Sequence, residues 1–160
     1  MSFSADNRAQ AACLAAYAAD PVKCITQPYQ NAFSTVPSFT AQSLYDTANL
    51  GYCFSAPCGF NGNSPGSCSP AEVAAIQDFA ARLRASIEGS AKAGDGWVFL
   101  SCSQHETTCQ ARDWFGVTLP GGASMNSTFA QWYTGTGAGR AGDVLWPGDA
   151  TCASITHGFC

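Results

Sequence analysis

The clearest pattern of apolar positions along the chain predicts one long amphipathic helix at about residues 70–90. Ser69, Pro70 and Glu72 precede the pattern as a capping box with proline at the first helical position. Apolar side chains then recur at steps of three and four residues, which places them on one face of a helix. They are Val73, Ile76, Phe79, Leu83 and Ile87.

Shorter patterns predict two further helices and two strands. An Ala-rich run at 6–19 ends at Asp20-Pro21, as helices commonly do before a proline. A weaker helix is predicted at about 127–134. The continuous apolar run at 97–101 is typical of a buried strand, and 38–45 is a second strand candidate.

Helices that alternate with strands predict an α/β fold. Two strands are too few for a complete α/β sheet, because a parallel sheet needs several strands with both faces covered. The first residues, MSFSADNRAQ, lack the basic and apolar regions of a signal peptide. We therefore expect the true start to lie upstream, and the chain to be the C-terminal part of a larger sheet.

Composition favours a disulfide-containing, secreted protein. The 160 residues are 46% hydrophobic and 11% charged, with a formal net charge of −4. The few basic residues are scattered, which argues against nucleic-acid binding. No apolar run approaches the ~20 residues that a membrane span needs. Nine cysteines with no C-x-x-C pair favour disulfides over metal or redox chemistry. Asn126 begins an Asn-Ser-Thr glycosylation sequon, although Asn126 or Ser127 is also a plausible helix cap.

Three other patterns have weaker support. The segment 62–66 fits a G-x-S-x-G nucleophile elbow, but both flanks are loops, and Pro65 has no N–H for an oxyanion hole. Cys102-x2-His105 and His157-x2-Cys160 resemble two halves of a zinc site, yet nothing indicates that they meet. A Cys–His nucleophile pair is a third alternative. We expect a turn at 62–66, no metal and no cofactor.

An acid and a histidine each follow a predicted strand. Asp46 comes just past 38–45, and His105 lies in the loop after 97–101. Functional groups gather at the carboxyl ends of strands in open α/β sheets. In the chain order Ser, Asp, His, these residues would be the second and third members of a triad. The acid then orients the imidazole, which takes the serine proton. Taken alone, an Asp after a strand is more often a turn or cap residue.

Three runs of sequence resemble the pectin acetylesterase/Notum carboxylesterases, a family of secreted serine esterases with an α/β-hydrolase fold. The runs are PSFTAQSLYDTANL (37–50), CSPAEVAAIQDFAARLRASI (68–87) and VFLSCSQHETTCQARDWF (98–115). The resemblance implies that Asp46 is the catalytic acid and His105 the catalytic histidine. It also implies that Ile25, Thr26 and Ala48 lie near the acyl pocket.

The resemblance further implies two disulfides, Cys13–Cys24 and Cys58–Cys68. Cys152 with Cys160 is a plausible local pair, and the partners of the remaining cysteines stay open. Ile25 and Thr26 occupy positions that are often aromatic in the family, so the lining of the pocket differs here.

As a member of this family, the chain would belong to a secreted or cell-wall carboxylic-ester hydrolase. Its substrate would be O-acetyl groups on polysaccharide or, as a weaker alternative, a lipid acyl group on protein. The family's G-x-S-A-G nucleophile lies upstream of the acid, and nothing before Asp46 matches it. We therefore expect residues 1–160 to be the C-terminal portion of a single α/β-hydrolase domain, inactive alone. The alternative is a non-enzymatic, disulfide-containing binding or structural module derived from that fold.

Overall fold

The computed structural model of the chain describes residues 7–46, 49–50, 68–101, 111–119, 121–137 and 139–142. Within them lie three strands and several helices, so the content is mixed α and β. A 3-10 helix, Pro21–Ile25, lies between the first two α-helices. The α-helices are α1 (Asn7–Ala16), α2 (Gln27–Asn31), α3 (Pro70–Ser90), α4 (Ala111–Gly116) and α5 (Met125–Thr134), and the strands are β1 (Phe39–Ser43), β2 (Gly96–Leu100) and β3 (Arg140–Gly142).

The three strands form one parallel sheet in the order β1-β2-β3. Phe39 pairs with Gly96 and Ser43 with Leu100, while Trp97 pairs with Arg140. Helix α3 lies in the connection from β1 to β2, and α4 and α5 lie in the connection from β2 to β3. Parallel pairs need such crossover connections, so the predicted α/β arrangement is confirmed. The third strand, Arg-Ala-Gly, was not predicted from the sequence. Its three residues have no apolar pattern, and only their pairing with β2 defines them as a strand.

Helix α3 begins as its sequence predicts. The Ser69 N–H donates to Glu72 Oε2 at 2.7 Å, and the Glu72 N–H donates to the Ser69 hydroxyl at 3.4 Å. The backbone hydrogen bond from Ser69, followed by the hydroxyl bond, lowers the pKa of Glu72. Along the helix Ile76, Ala80 and Ile87 are buried, whereas Phe79 is only half-buried.

One face of the sheet builds a hydrophobic core. Val98 and Leu100 of β2 pack with residues from the segment that precedes α5 and from its first turn. The alternation of side chains along a strand places Phe39 and Ala41 of β1 on this same face. The other buried members are Val117, Leu119 and Met125.

Two glycines let Trp132 of α5 reach the sheet. A Cβ atom on Gly139 would lie 2.2 Å from the Trp132 Cβ, and one on Gly96 would lie 2.7 Å from the Trp132 Cδ1. Gly139 also has φ of +58°, a left-handed conformation that side chains other than glycine rarely adopt. The indole therefore packs where no side chain larger than hydrogen fits.

The chain divides into two compact units. The first is formed by Met1–Ser38 with Ala85–Asp95, and the second by Phe39–Arg84 with Gly96–Cys160. In the first unit, Tyr17 makes edge-on ring contacts with Tyr29 at 5.4 Å and with Phe33 at 6.2 Å.

The 3-10 helix and α2 lie between α1 and β1, where no helix is predicted from the sequence. Each begins with a proline in its first turn, Pro21 and Pro28, where the missing N–H costs no hydrogen bond. Both are too short to show an apolar period. Among the described helices, none combines the length and the apolar character that a bilayer crossing requires.

Candidate active site

The carboxyl ends of β1 and β2 meet at one edge of the sheet. Ser43 and Leu100 are register partners, and the Leu44 N–H extends the ladder by donating to the Leu100 carbonyl at 2.8 Å. Asp46 follows β1 and Ser101 follows β2. Ser43 and Ser101 are each 1% exposed and Asp46 is 8% exposed, so three polar side chains are buried at this edge. Burial of a polar group is unfavourable in free energy unless the group is hydrogen-bonded. We therefore expect the side chains at this edge to make polar contacts.

Asp46 is held by the backbone that follows it. Its Oδ1 accepts a hydrogen bond from the Asn49 N–H at 2.9 Å, and its carbonyl accepts one from the Leu50 N–H at 2.9 Å. Asp46 thus caps a helical turn, which fixes the carboxylate against the chain. Just before it, Leu44 and Tyr45 are fully buried and anchor the segment. An ionised carboxylate offers about four lone-pair sites, so this capping bond is compatible with a second role.

His105 lies in the segment 102–110, outside the described residues. The structure does describe Ser101, from which that segment leaves β2 at the same edge as Asp46. The pairing of Asp46 with His105 stays a prediction.

Of the three residues predicted near the acyl pocket, the structure describes Ile25 and Thr26. Ile25 is 75% exposed at the end of the 3-10 helix. Thr26 is exposed, and its hydroxyl donates to the Lys23 carbonyl at 2.7 Å. Both belong to the first unit, whereas Asp46 belongs to the second. Ala48 lies outside the described residues, and the pocket stays a prediction.

The expected bond between Cys13 and Cys24 is present. Their Cα atoms lie 5.8 Å apart, and both residues are buried. Cys68 is also disulfide-bonded. Its expected partner, Cys58, lies outside the described residues, as do Cys152 and Cys160.

The Asn126 sequon lies in the first turn of α5. Ser124 is the N-cap and forms a capping box with Ser127, so the cap role falls to Ser124 rather than to Asn126. The Thr128 hydroxyl donates to the Ser124 carbonyl at 2.8 Å, and Thr128 is 2% exposed. Asn126 itself is half-buried, and its glycosylation stays a prediction.

The alternatives at 62–66 and at the four zinc-candidate residues also fall outside the described residues. In the part of the chain that the structure describes, no three His, Cys, Asp or Glu side chains come together as a metal-binding group.

A second buried carboxylate, Asp95, was missed by the sequence reasoning. It is 3% exposed, and it accepts hydrogen bonds from the Lys92 N–H at 2.8 Å and the Ser38 N–H at 2.7 Å. Burial alone would raise the pKa of Asp95. The hydrogen bonds from Lys92, Asn31 and Ser38, with the charge of Lys92, outweigh it and lower this pKa. Within the first unit, the cluster joins Ser38 and Asn31 to Asp95 and to the last residue of α3, Ser90, which is a structural role.

The family model described as pectinacetylesterase matches residues 4–153, nearly the whole chain. The chain belongs to the pectinacetylesterase family. The resemblance noted from the sequence is therefore confirmed, and both Asp46 and His105 fall inside the matched range. Comparison with curated proteins and with solved structures finds no match.

Membership of the pectinacetylesterase family implies a carboxylesterase activity on acyl-ester substrates and an α/β-hydrolase-like fold. The parallel sheet with its helical crossovers agrees with such a fold. Members of the family are generally secreted or cell-wall enzymes.

Proposed function

We propose that this chain carries the acid and the histidine of a serine-esterase triad that hydrolyses O-acetyl esters of polysaccharide. Asp46 is the acid and His105 the general base. The nucleophilic serine is assigned to sequence outside these 160 residues, so that the chain is the C-terminal portion of one α/β-hydrolase domain. On this proposal the chain alone lacks esterase activity, because loss of the triad serine costs several orders of magnitude in rate.

The observation that carries the proposal is the position of Asp46. It is buried at the carboxyl edge of a parallel sheet, beside the point where the segment bearing His105 leaves the neighbouring strand. Ligands and functional groups gather at this edge in open α/β sheets. The bond from the Asn49 N–H to Oδ1 fixes the direction of the carboxylate. An orienting acid needs that rigidity.

The chemistry follows from these roles. The serine hydroxyl loses its proton to His105 as its oxygen attacks the acyl carbon. The protonated imidazole, stabilised by the Asp46 carboxylate, then gives the proton to the sugar oxygen as the bond from that oxygen to the acyl carbon breaks, and the sugar leaves as a free hydroxyl. Water, deprotonated by His105 in the same way, releases acetate and regenerates the serine. Ala48, two residues after the acid, is proposed to line the acyl pocket.

The test is an NMR pH titration of the two histidines, His105 and His157, in the full chain. A nearby carboxylate favours the charged imidazole. Asp46→Asn should therefore lower the titration midpoint of His105 by about one pH unit, while His157 serves as the internal reference. The asparagine keeps an oxygen acceptor for the Asn49 N–H, so the local fold is retained.

An unchanged His105 midpoint in Asp46→Asn would contradict the pairing and favour a non-enzymatic module. The assignment of the serine is tested separately with a chromogenic acetyl ester. Turnover by the chain that is abolished in His105→Ala would show that the serine lies within these residues.

A further inference from the structure

The core face of β1 ends in a serine, at a position where its pattern predicts an apolar side chain. Phe39 and Ala41 on this face pack against the hydrophobic core. Side chains alternate along a strand, so Ser43 continues the same face, and it is 1% exposed. Its register partner on β2 is Leu100, a member of that core. A hydroxyl is unfavourable in such surroundings unless it is hydrogen-bonded, so its bonds should explain its presence.

The Ser43 hydroxyl accepts a hydrogen bond from the backbone that follows it. The Leu44 N–H still bonds to the neighbouring strand, at 2.8 Å from the Leu100 carbonyl. The next N–H, that of Tyr45, donates instead to Ser43 Oγ at 3.3 Å, in a buried bond. A serine hydroxyl that binds the N–H two residues later forms a compact turn. This turn lies at the point where the chain leaves the sheet.

The turn leads directly into Asp46. Tyr45 is fully buried, so the residue before the acid has a fixed position. After the acid, the Asn49 N–H donates to Asp46 Oδ1 at 2.9 Å. Asp46 therefore lies between two local hydrogen bonds, one that ends the strand and one that binds its carboxylate. Without the first bond, the carboxylate could keep Asn49 and still shift relative to β2.

We propose that Ser43 is a positioning residue for Asp46: through the backbone of Tyr45, its hydroxyl sets the direction in which the acid leaves β1. An apolar residue at this position would suit the core face, but it would take this acceptor from the buried Tyr45 N–H. The proposal rests on the proposed function for the role of Asp46 as an acid. The placement of Asp46 by Ser43 can be tested independently of that role.

The first test is amide hydrogen exchange in the full chain. A general loss of stability would speed the exchange of all protected amides alike, so two amides are compared. The Asn49 amide is bonded to Asp46, and the Thr128 amide is bonded to the Ser124 carbonyl at 2.9 Å. Ser43→Ala should speed the exchange of Asn49 about tenfold more than that of Thr128. Ser43→Thr keeps the hydroxyl and should behave like the wild-type chain.

The matched control is Ser34→Ala. Ser34 forms the same kind of turn, with its hydroxyl accepting from the Val36 N–H at 3.2 Å, but this bond is exposed and belongs to the first unit. Its loss should leave the ratio of the Asn49 and Thr128 exchange rates unchanged within about twofold.

The histidine titration gives the second test. On the proposed function, Asp46→Asn lowers the His105 midpoint by about one pH unit in the wild-type chain. In the Ser43→Ala background the same substitution should have at most about half that effect, because the carboxylate no longer holds its direction toward the imidazole. A serine that only stabilises the fold would leave this difference intact.

Equal acceleration of the Asn49 and Thr128 amides in Ser43→Ala would overturn the proposal, and so would a Ser43→Thr chain that behaves like Ser43→Ala. An equal response of His105 to Asp46→Asn in both backgrounds would overturn it and leave the proposed function standing. No response of His105 in the wild-type chain would instead contradict the proposed function. The exchange ratio of Asn49 would then still decide whether Ser43 places Asp46.

Discussion

The Asn31 side chain donates a hydrogen bond to Asp95 Oδ2 at 2.7 Å, joining two residues that lie 64 positions apart. The same Asn31 amide donates to the Ser90 carbonyl at 3.1 Å, at the end of α3. The Ser38 N–H binds the other carboxylate oxygen. The buried carboxylate thus joins separate stretches of the first unit through hydrogen bonds rather than through apolar packing.

We expect Asn31→Ala to lower the free energy of unfolding by about 2 kcal/mol, because the buried Asp95 carboxylate loses a donor. Urea denaturation followed by circular dichroism measures the loss. The matched control is Asp78→Asn, whose side chain is 67% exposed. It should change stability by no more than about 0.5 kcal/mol, since exposed ion pairs contribute little. Equal effects of the two substitutions would contradict the role of Asn31.

The Asp95 carboxylate also predicts a pH dependence. Its folded-state pKa is lowered, so its contribution to stability is present above the unfolded-state value and is lost as pH falls through the folded-state value. Asp95→Asn should therefore destabilise the protein near neutral pH. The difference between the two proteins should shrink in acid, below the ordinary range of an aspartate. A difference that is constant from pH 7 into acid would refute the linkage.

Alanine substitutions at two glycines distinguish the cost of a left-handed backbone from the cost of steric overlap. Gly135 and Gly139 both have left-handed φ values, +68° and +58°. At Gly135 nothing lies within 4 Å of an added Cβ, whereas at Gly139 that atom would lie 2.2 Å from Trp132. We expect Gly135→Ala to cost about 1 kcal/mol of stability and Gly139→Ala clearly more. Thermal denaturation compares them, and Gly116→Ala, with open space and no positive φ, is the unstrained reference.

Replacing both Cys13 and Cys24 by alanine should lower the free energy of unfolding by about 2–3 kcal/mol. The bond closes a loop of sequence separation 11, and both sulfur-bearing residues are buried. Chemical denaturation under non-reducing conditions measures the change. A loss below about 0.5 kcal/mol would mean that the contacts of Tyr17 with Tyr29 and Phe33 hold the segment without the bond.

The cap role of Asp46 can be separated from its proposed catalytic role. Asp46→Ala should cost about 1 kcal/mol of stability through loss of the bond from the Asn49 N–H. Asp46→Asn retains an acceptor and should cost less than half as much. Urea denaturation of both variants, beside the histidine titration, distinguishes a residue that only caps from one that also faces the imidazole.

The sequence predicted those elements whose side chains alternate between core and solvent with a clear period. The bounds of α3 followed from its capping box and its apolar stripe, although Ala80 takes the buried place expected for Phe79. Strand β2 was recognised from its continuous apolar run. The short helix α2 and strand β3 escaped, because a handful of residues carries no period and β3 depends on its neighbour for every backbone bond.

Polar residues were harder to interpret than apolar ones. Asp46 was singled out from its place after a strand, and the structure finds it buried with a defined partner. Asp95 was not predicted from the sequence. Its partners Asn31 and Ser38 lie far away in the sequence, and no local sequence pattern predicts such a cluster. The position of Asp46 after a strand is enough to predict that it lies at the carboxyl edge of the sheet. The partners of Asp95 can be identified only once the fold is known.

The parallel ladders also bear on the order in which this chain folds. Each ladder joins segments separated by a whole crossover, so a long loop must close before any strand gains a partner. Helix α5 needs only its own capping box to start. We expect the amide of Thr128, bonded to the Ser124 carbonyl, to gain protection in pulsed hydrogen exchange before that of Leu44, bonded to Leu100. The polar edge around Asp46 therefore forms late in folding. A partly folded chain would contain helices before the carboxyl ends of β1 and β2 come together beside Asp46.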